Sequence, residues 1–89
     1  MIDPCSPLSA LAPQTRELVA LGICVAMGCD SYLQWRAARV AGTGASREEI
    51  LEVIQMGLEM AGDTAVDAAR KAIAVVDEIF EGYPQPIGD

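Results

Sequence analysis

Apolar residues recur along this chain at intervals of three and four, the repeat of an α-helix and not of a strand. Between Ser46 and Ala61 they resolve into two stripes. Ile50, Ile54, Gly57, Leu58 and Ala61 form one, and Val53, Met56 and Met60 the other, with Glu48, Glu52, Gln55 and Glu59 between them. Two stripes on one helix predict one face for the core and one for an interface. From about Thr64 to Phe80 a single stripe runs through Val66, Ala69, Ile73, Val76 and Phe80. From about Gln14 to Met27, Leu18, Val19, Leu21, Ile23, Val25, Ala26 and Met27 leave almost no polar face, which predicts a buried central helix. A shorter helix is expected over about Ser31–Ala41. No segment alternates with period two long enough to make a strand, so the chain reads as all-α, an antiparallel helical bundle of about four helices joined by short connections.

Local signals punctuate this pattern. Pro4, Pro7 and Pro13 mark an extended arm that ends where Pro13 enters the first turn of a helix. Gly28 is placed to stop that helix. Asp30 or Ser31 can cap the second, and Gly42-Thr43-Gly44 ends it. Ser46-Arg47-Glu48-Glu49 is a capping box for the third, in which Ser46 and Glu49 satisfy each other's end of the first turn. Gly62-Asp63 breaks the chain, with Asp63 as cap of the fourth helix; Gly82 ends it, and Pro84 and Pro86 follow. The expected division is an extended N-terminal arm over 1–12, a helical domain over 13–82 and a flexible tail over 83–89.

Composition narrows the function classes. The chain has 89 residues, of which 52% are apolar. A chain of this size buries only about two-thirds of its unfolded surface as a monomer, so part of that apolar content calls for cover by partner subunits. Six basic residues against 13 acidic ones give a net charge of −7, which argues against a nucleic-acid backbone or an anionic membrane as partner. The longest apolar run, Leu18 to Met27, is too short to span a bilayer. MIDPCSPLS has neither the basic start nor the apolar core of a signal peptide. Three cysteines, Cys5, Cys24 and Cys29, make no framework and suggest reduced thiols in a cytoplasmic setting. With no histidine and with carboxylates spread over helix surfaces, neither a metal site nor a bound cofactor is expected.

The chemistry-bearing stretch is Leu11 to Cys29, LAPQTRELVALGICVAMGC, followed by DSYLQWRAARVAGTGASREEILEVI. Leu11-x-Pro13-x-Thr15-Arg16-Glu17-Leu18, Gly28-Cys29-Asp30, the Gly44–Ile50 capping segment and Met60-Ala61-Gly62-Asp63-Thr64-Ala65 follow one another in the order and spacing of the carboxymuconolactone decarboxylase and alkylhydroperoxidase D-like family, which the chain resembles over about Leu11–Glu81. The resemblance implies an all-helical fold assembled as a homotrimer or homohexamer, and peroxidase or antioxidant activity. Redox members carry Glu, eleven residues, then Cys-x-x-Cys-x-x-x-His. A Cys pair at a helix start sits near unpaired amides that favour the thiolate, the His takes the thiol proton, and the Glu orients the His.

This chain is similar to that pattern with two parts replaced. Glu17 and Cys29 stand at the family spacing, Tyr32 takes the place of the second Cys, and Arg36 that of the His. A phenol forms no disulfide, and a guanidinium stays protonated and is no general base. The resemblance therefore implies a one-cysteine peroxidase, with Cys29 as nucleophile beside Arg36, and Glu17 and Tyr32 around it. Two other classes compete. One is a non-catalytic oligomeric module that binds a small ligand or serves as scaffold. The other is a lyase acting on a carboxylated lactone, with Arg36 as anion anchor; the family's decarboxylases keep the His and carry further terminal helices. Glu17 and Arg36 are expected to form a structural ion pair, so that Arg36→Ala would leave Glu17 unpaired. Cys24 reads as core, with a disulfide to Cys29, five residues on across a turn, as the lesser alternative; Cys5 reads as incidental, Trp35 and Tyr32 as core or interface anchors or as pocket liners, and Arg39, Arg70 and Lys71 as solvated helix faces.

Overall fold

The computed structural model describes residues 10–29 and 31–81, and the structure over these is all-helical. Helix α1 spans Pro13–Ala26, α2 Leu33–Gly42, α3 Arg47–Ala61 and α4 Val66–Glu81, with a 3-10 turn over Gly62–Ala65 between the last two. Helix α1 packs chiefly on α3, and α2 on α4, while α1–α2 and α3–α4 contacts close the arrangement. The arm over 1–9, Asp30 and the tail over 82–89, including the Gly82 stop and Pro84 and Pro86, lie outside the described residues.

The ends of the helices follow the local chemistry unevenly. Pro13 opens α1. At α3 the capping box forms in full: Glu49 N–H donates to Ser46 Oγ at 3.0 Å, and Ser46 N–H to Glu49 Oε1 at 2.8 Å. Helix α2 departs from expectation. It starts at Leu33 with Tyr32 at the cap position and no side-chain cap, so Ser31 does not serve. The α3–α4 connection departs as well. Asp63 does not cap a helix beginning at Thr64, because the 3-10 turn intervenes and its Thr64 hydroxyl donates to the Ala61 carbonyl at 3.1 Å.

Leu21, Val25, Leu33, Val40, Ile50, Ile54 and Val76 are the largest fully buried side chains. The expected stripe of α4 is corrected in part. Ala69 and Val76 are buried, but Ala68 and Ala72 complete the inner face while Ile73 and Phe80 are exposed. Alanines line that face because they let helices approach closely, and the bulkier residues are left outside. Helix α1 is not buried all round either: Leu21, Cys24 and Val25 face inward, whereas Val19, Ile23 and Met27 are exposed. On α3, Ile50, Ile54 and Gly57 are buried, and Met56 and Met60 of the second stripe stand in the open, Met60 84% exposed.

The α1–α3 contact is held at Gly57. A Cβ placed there would stand 2.8 Å from the Gly22 carbonyl oxygen, so the two backbones meet closely only because Gly57 has no side chain. Above this contact runs an open apolar groove of about 440 Å³, walled by Leu18, Val19, Ile23, Val53, Met56 and Met60.

Candidate functional site

Helix α1 ends in a left-handed turn that sets the geometry of the site. Cys29 N–H donates to the Cys24 carbonyl at 3.0 Å, Gly28 N–H donates to the Val25 carbonyl at 3.0 Å, and Gly28 has φ +71°. This pair of bonds is the Schellman closure, whose single left-handed residue is nearly always glycine, and it folds the residue after the glycine back onto the residue four before it. Here those two residues are Cys29 and Cys24. The Cys24 thiol donates to the carbonyl oxygen of Cys29, with the sulfur 3.4 Å away. Cys24 is 8% exposed and Cys29 is half-buried.

The position of Cys29 corrects the sequence expectation. It stands not in the first turn of α2 but four residues ahead of Leu33, in the turn that closes α1. The open amides of α2 are therefore not gathered at its sulfur. The cation that shares its surroundings is Arg36. Cys24, Cys29, Tyr32 and Arg36, with Ala20, Ile23 and Met27, line an open cleft of about 260 Å³. The roomier groove between α1 and α3 is almost wholly apolar and is lined by no cysteine; it adjoins the cleft through Ile23, which lines both.

Glu17, one turn into α1, ties this helix to α2. Arg36 Nη1 donates to Glu17 Oε1 at 3.4 Å, and Arg39 Nη2 donates to Oε2 at 3.0 Å. The expected Glu17–Arg36 pair is thus present, but Arg39 makes the shorter contact, so it is not simply a solvated face. Residues three apart on a helix lie on one face, which is why both guanidiniums reach one carboxylate. The hydrogen bond from Arg39 is the main reason that the Glu17 carboxyl is held below its ordinary range; partial burial works against it, and Arg36 adds to the lowering. Trp35 backs both cations, with its ring centre 4.9 Å from Arg36 Cζ and 5.0 Å from Arg39 Cζ, and Tyr32 meets Trp35 edge-on at 6.5 Å. Neither aromatic is core: both are more than half exposed. Arg36 Nε is buried with no hydrogen-bond partner among the described residues.

The structure thus brings Cys29, Tyr32 and Arg36 to one cleft, while Glu17 stands behind Arg36 as its counter-charge. Sequence reasoning passes over one participant and sets a second aside as core. Arg39 was signalled by its spacing of three from Arg36. Cys24 was signalled by its spacing around Gly28, since a glycine stop brings together the residue four before it and the residue after it.

The sequence model of the carboxymuconolactone decarboxylase family matches residues 8–75. The chain belongs to the carboxymuconolactone decarboxylase family. Among curated proteins it is 30% identical over 70 residues to an uncharacterized protein of Cupriavidus necator, and 33% identical over 70 residues to the uncharacterized protein 4 in cox locus of Paracoccus denitrificans. Each match takes in 79% of this chain and 62% or 63% of the relative, so the chain spans about three-fifths of the length of these family relatives. No solved structure matches. Among the described residues, no helix of this family member is long and apolar enough to cross a membrane.

Proposed function

We propose that this member of the carboxymuconolactone decarboxylase family is a cysteine-based peroxidase acting on small hydroperoxides, with Cys29 as nucleophile, and that it works as a homo-oligomer. The observation that carries this reading is the shared cleft: a half-buried thiol, a phenol and a guanidinium open onto one small cavity with apolar walls. The Cys29 thiol gives its proton to water, the thiolate sulfur attacks the outer peroxide oxygen, the O–O bond breaks, and the alcohol leaves as its anion, which takes a proton back from water. Cys29 is left as a sulfenic acid. Arg36 stabilises the negative charge that develops on the departing oxygen. Tyr32, which also lines the cleft, offers a hydroxyl to the same oxygen, and Glu17 with Trp35 fixes the guanidinium. No step requires a histidine, and the chain has none.

The lyase alternative is weaker, because Arg36 already spends one Nη on Glu17 and a substrate carboxylate would have to compete for it. The scaffold alternative has one observation in its favour, the apolar α1–α3 face. Its exposed Val19, Ile23, Met56 and Met60 are what a helix of a second copy would cover, which supports assembly under either reading.

The test is the rate at which peroxide removes the alkylatable thiol of Cys29, read site by site by mass spectrometry after N-ethylmaleimide blocking. Cys29 is expected to react about 100-fold or more faster than a denatured-state thiol of the same chain. Equal rates for native Cys29 and the denatured control would end the peroxidase reading.

A further inference from the structure

We propose that Cys24 is the resolving thiol of this site, so that oxidised Cys29 passes into an intrachain Cys24–Cys29 disulfide across the turn that closes α1. The inference rests on the peroxidase reading of Cys29 and adds a second sulfur to it. The pair it names stands at the C-terminal end of α1, on either side of Gly28, and not at the start of α2 where Tyr32 stands.

Three observations point to the pair. The Cys29 N–H to Cys24 carbonyl bond, 3.0 Å from nitrogen to oxygen, closes the six-residue turn. Standard bond lengths with the bend at the carbonyl carbon keep the two Cα atoms within about 6.9 Å, and the further bends at the oxygen and the nitrogen bring them inside the range of about 4.4–6.8 Å that disulfides span. Next, the Cys24 sulfur already reaches Cys29, lying 3.4 Å from its carbonyl oxygen. Finally, both thiols line the same cleft, Cys24 as the more buried wall and Cys29 as the more open one. The peroxide therefore meets Cys29 first, and Cys24 is screened from it.

The chemistry balances with these two sulfurs. Once Cys29 is a sulfenic acid, the Cys24 sulfur attacks the Cys29 sulfur. The S–O bond breaks, the S–S bond forms, and the hydroxyl leaves with the Cys24 proton as water. Over both steps one hydroperoxide is reduced to alcohol and water while two thiols become one disulfide. An external thiol or dithiol, by exchange, returns both sulfurs to the reduced form. The arrangement has a protective consequence: a sulfenic acid consumed by a neighbouring thiol is not driven on to the sulfinic acid.

The test uses the full chain carrying Cys5→Ser, so that Cys24 and Cys29 are its only thiols. It is treated with equimolar tert-butyl hydroperoxide, blocked with N-ethylmaleimide, and read by intact mass and peptide mapping. The parent is expected to lose both alkylatable thiols together, as a monomeric intrachain disulfide with no disulfide-linked dimer at any protein concentration, and dithiothreitol should restore both. In Cys24→Ala the dimedone adduct on Cys29 is expected to rise by about tenfold or more, because the competing exchange is gone. Cys24→Ser should behave alike, and circular dichroism with thermal melting confirms that each variant is folded. If the parent accumulates the Cys29 sulfenic acid to the same level as Cys24→Ala while Cys24 stays alkylatable, Cys24 is not resolving and the inference is overturned with the peroxidase reading intact. If peroxide oxidises neither thiol of the parent, the peroxidase reading falls and takes the inference with it.

Discussion

Replacing Gly57 by alanine tests the packing on which the α1–α3 pair depends. The added methyl carbon would lie 2.8 Å from the Gly22 carbonyl oxygen and 3.1 and 3.2 Å from Val25 Cγ1 and Cβ. The nearest atom belongs to the backbone and cannot rotate away, so α1 and α3 must separate by several tenths of an ångström. Overpacking of this kind costs about 1–3 kcal/mol. Alanine returns up to about 1 kcal/mol through its better helix propensity. The net loss is about 1–2 kcal/mol, which for a domain of this size lowers the melting temperature by about 5–15 °C. Gly42→Ala is the matched control, since a Cβ there meets nothing within 4 Å; it should leave stability unchanged or raise it by up to about 1 kcal/mol. Urea and thermal unfolding of both variants at several protein concentrations separate the packing loss from any change in assembly. A Gly57→Ala protein that melts at or above the parent would refute the close approach, and with it the floor of the apolar groove.

Glu17 gives a prediction with a defined pH sign. Its carboxyl titrates below the ordinary value in the folded chain, so its stabilisation is complete above the unfolded Glu value and is lost as pH falls through the lowered folded one. Arg39→Ala should remove most of that acid-side loss, since its hydrogen bond is the main cause. Arg36→Ala should shift stability at pH 7 by no more than about 0.5 kcal/mol, because Arg39 still holds the carboxylate. Melting temperature against pH decides it, and a larger loss from Arg36→Ala than from Arg39→Ala would reverse the ranking. Separately, Met56→Glu with Met60→Glu is expected to turn the proposed oligomer into monomer in sedimentation velocity at micromolar concentration. Retention of the parent's sedimentation coefficient would move the assembly surface off the α1–α3 face.

What could be read from the sequence was what depends on neighbours along the chain. Ser46 and Glu49 stand three apart and satisfy one helix end, so their box needs nothing else from the fold. Gly28 likewise stops α1 whatever packs around it. The features that escaped depend on tertiary choice. Ile73 and Phe80 are the more apolar residues of α4, yet Ala68 and Ala72 take the inner face, since close helix approach outweighs side-chain hydrophobicity there. The start of α2 falls later than the sequence suggests, at Leu33, because Cys29 still belongs to the turn that closes α1. For the same reason Cys29 was set at a helix start and Cys24 was read as plain core. Their spacing of five across a turn leaves a disulfide open as the lesser reading, and only the closure at Gly28 shows how near the two residues come.

The site and the apolar face are not independent, because α1 supplies both. Ile23 is half-exposed and lines the cleft of Cys29 and the groove of Met56 and Met60 alike. A partner helix seated in the groove would fix that side chain and so set one wall of the cleft. Loss of assembly in the Met56→Glu, Met60→Glu chain should therefore also change how fast Cys29 reacts, although neither methionine lines the cleft. If the monomer oxidises at the rate of the oligomer, the cleft is complete in a single chain and assembly serves stability alone. If the rate falls while the fold is kept, the second copy is part of what makes the thiol accessible to its substrate.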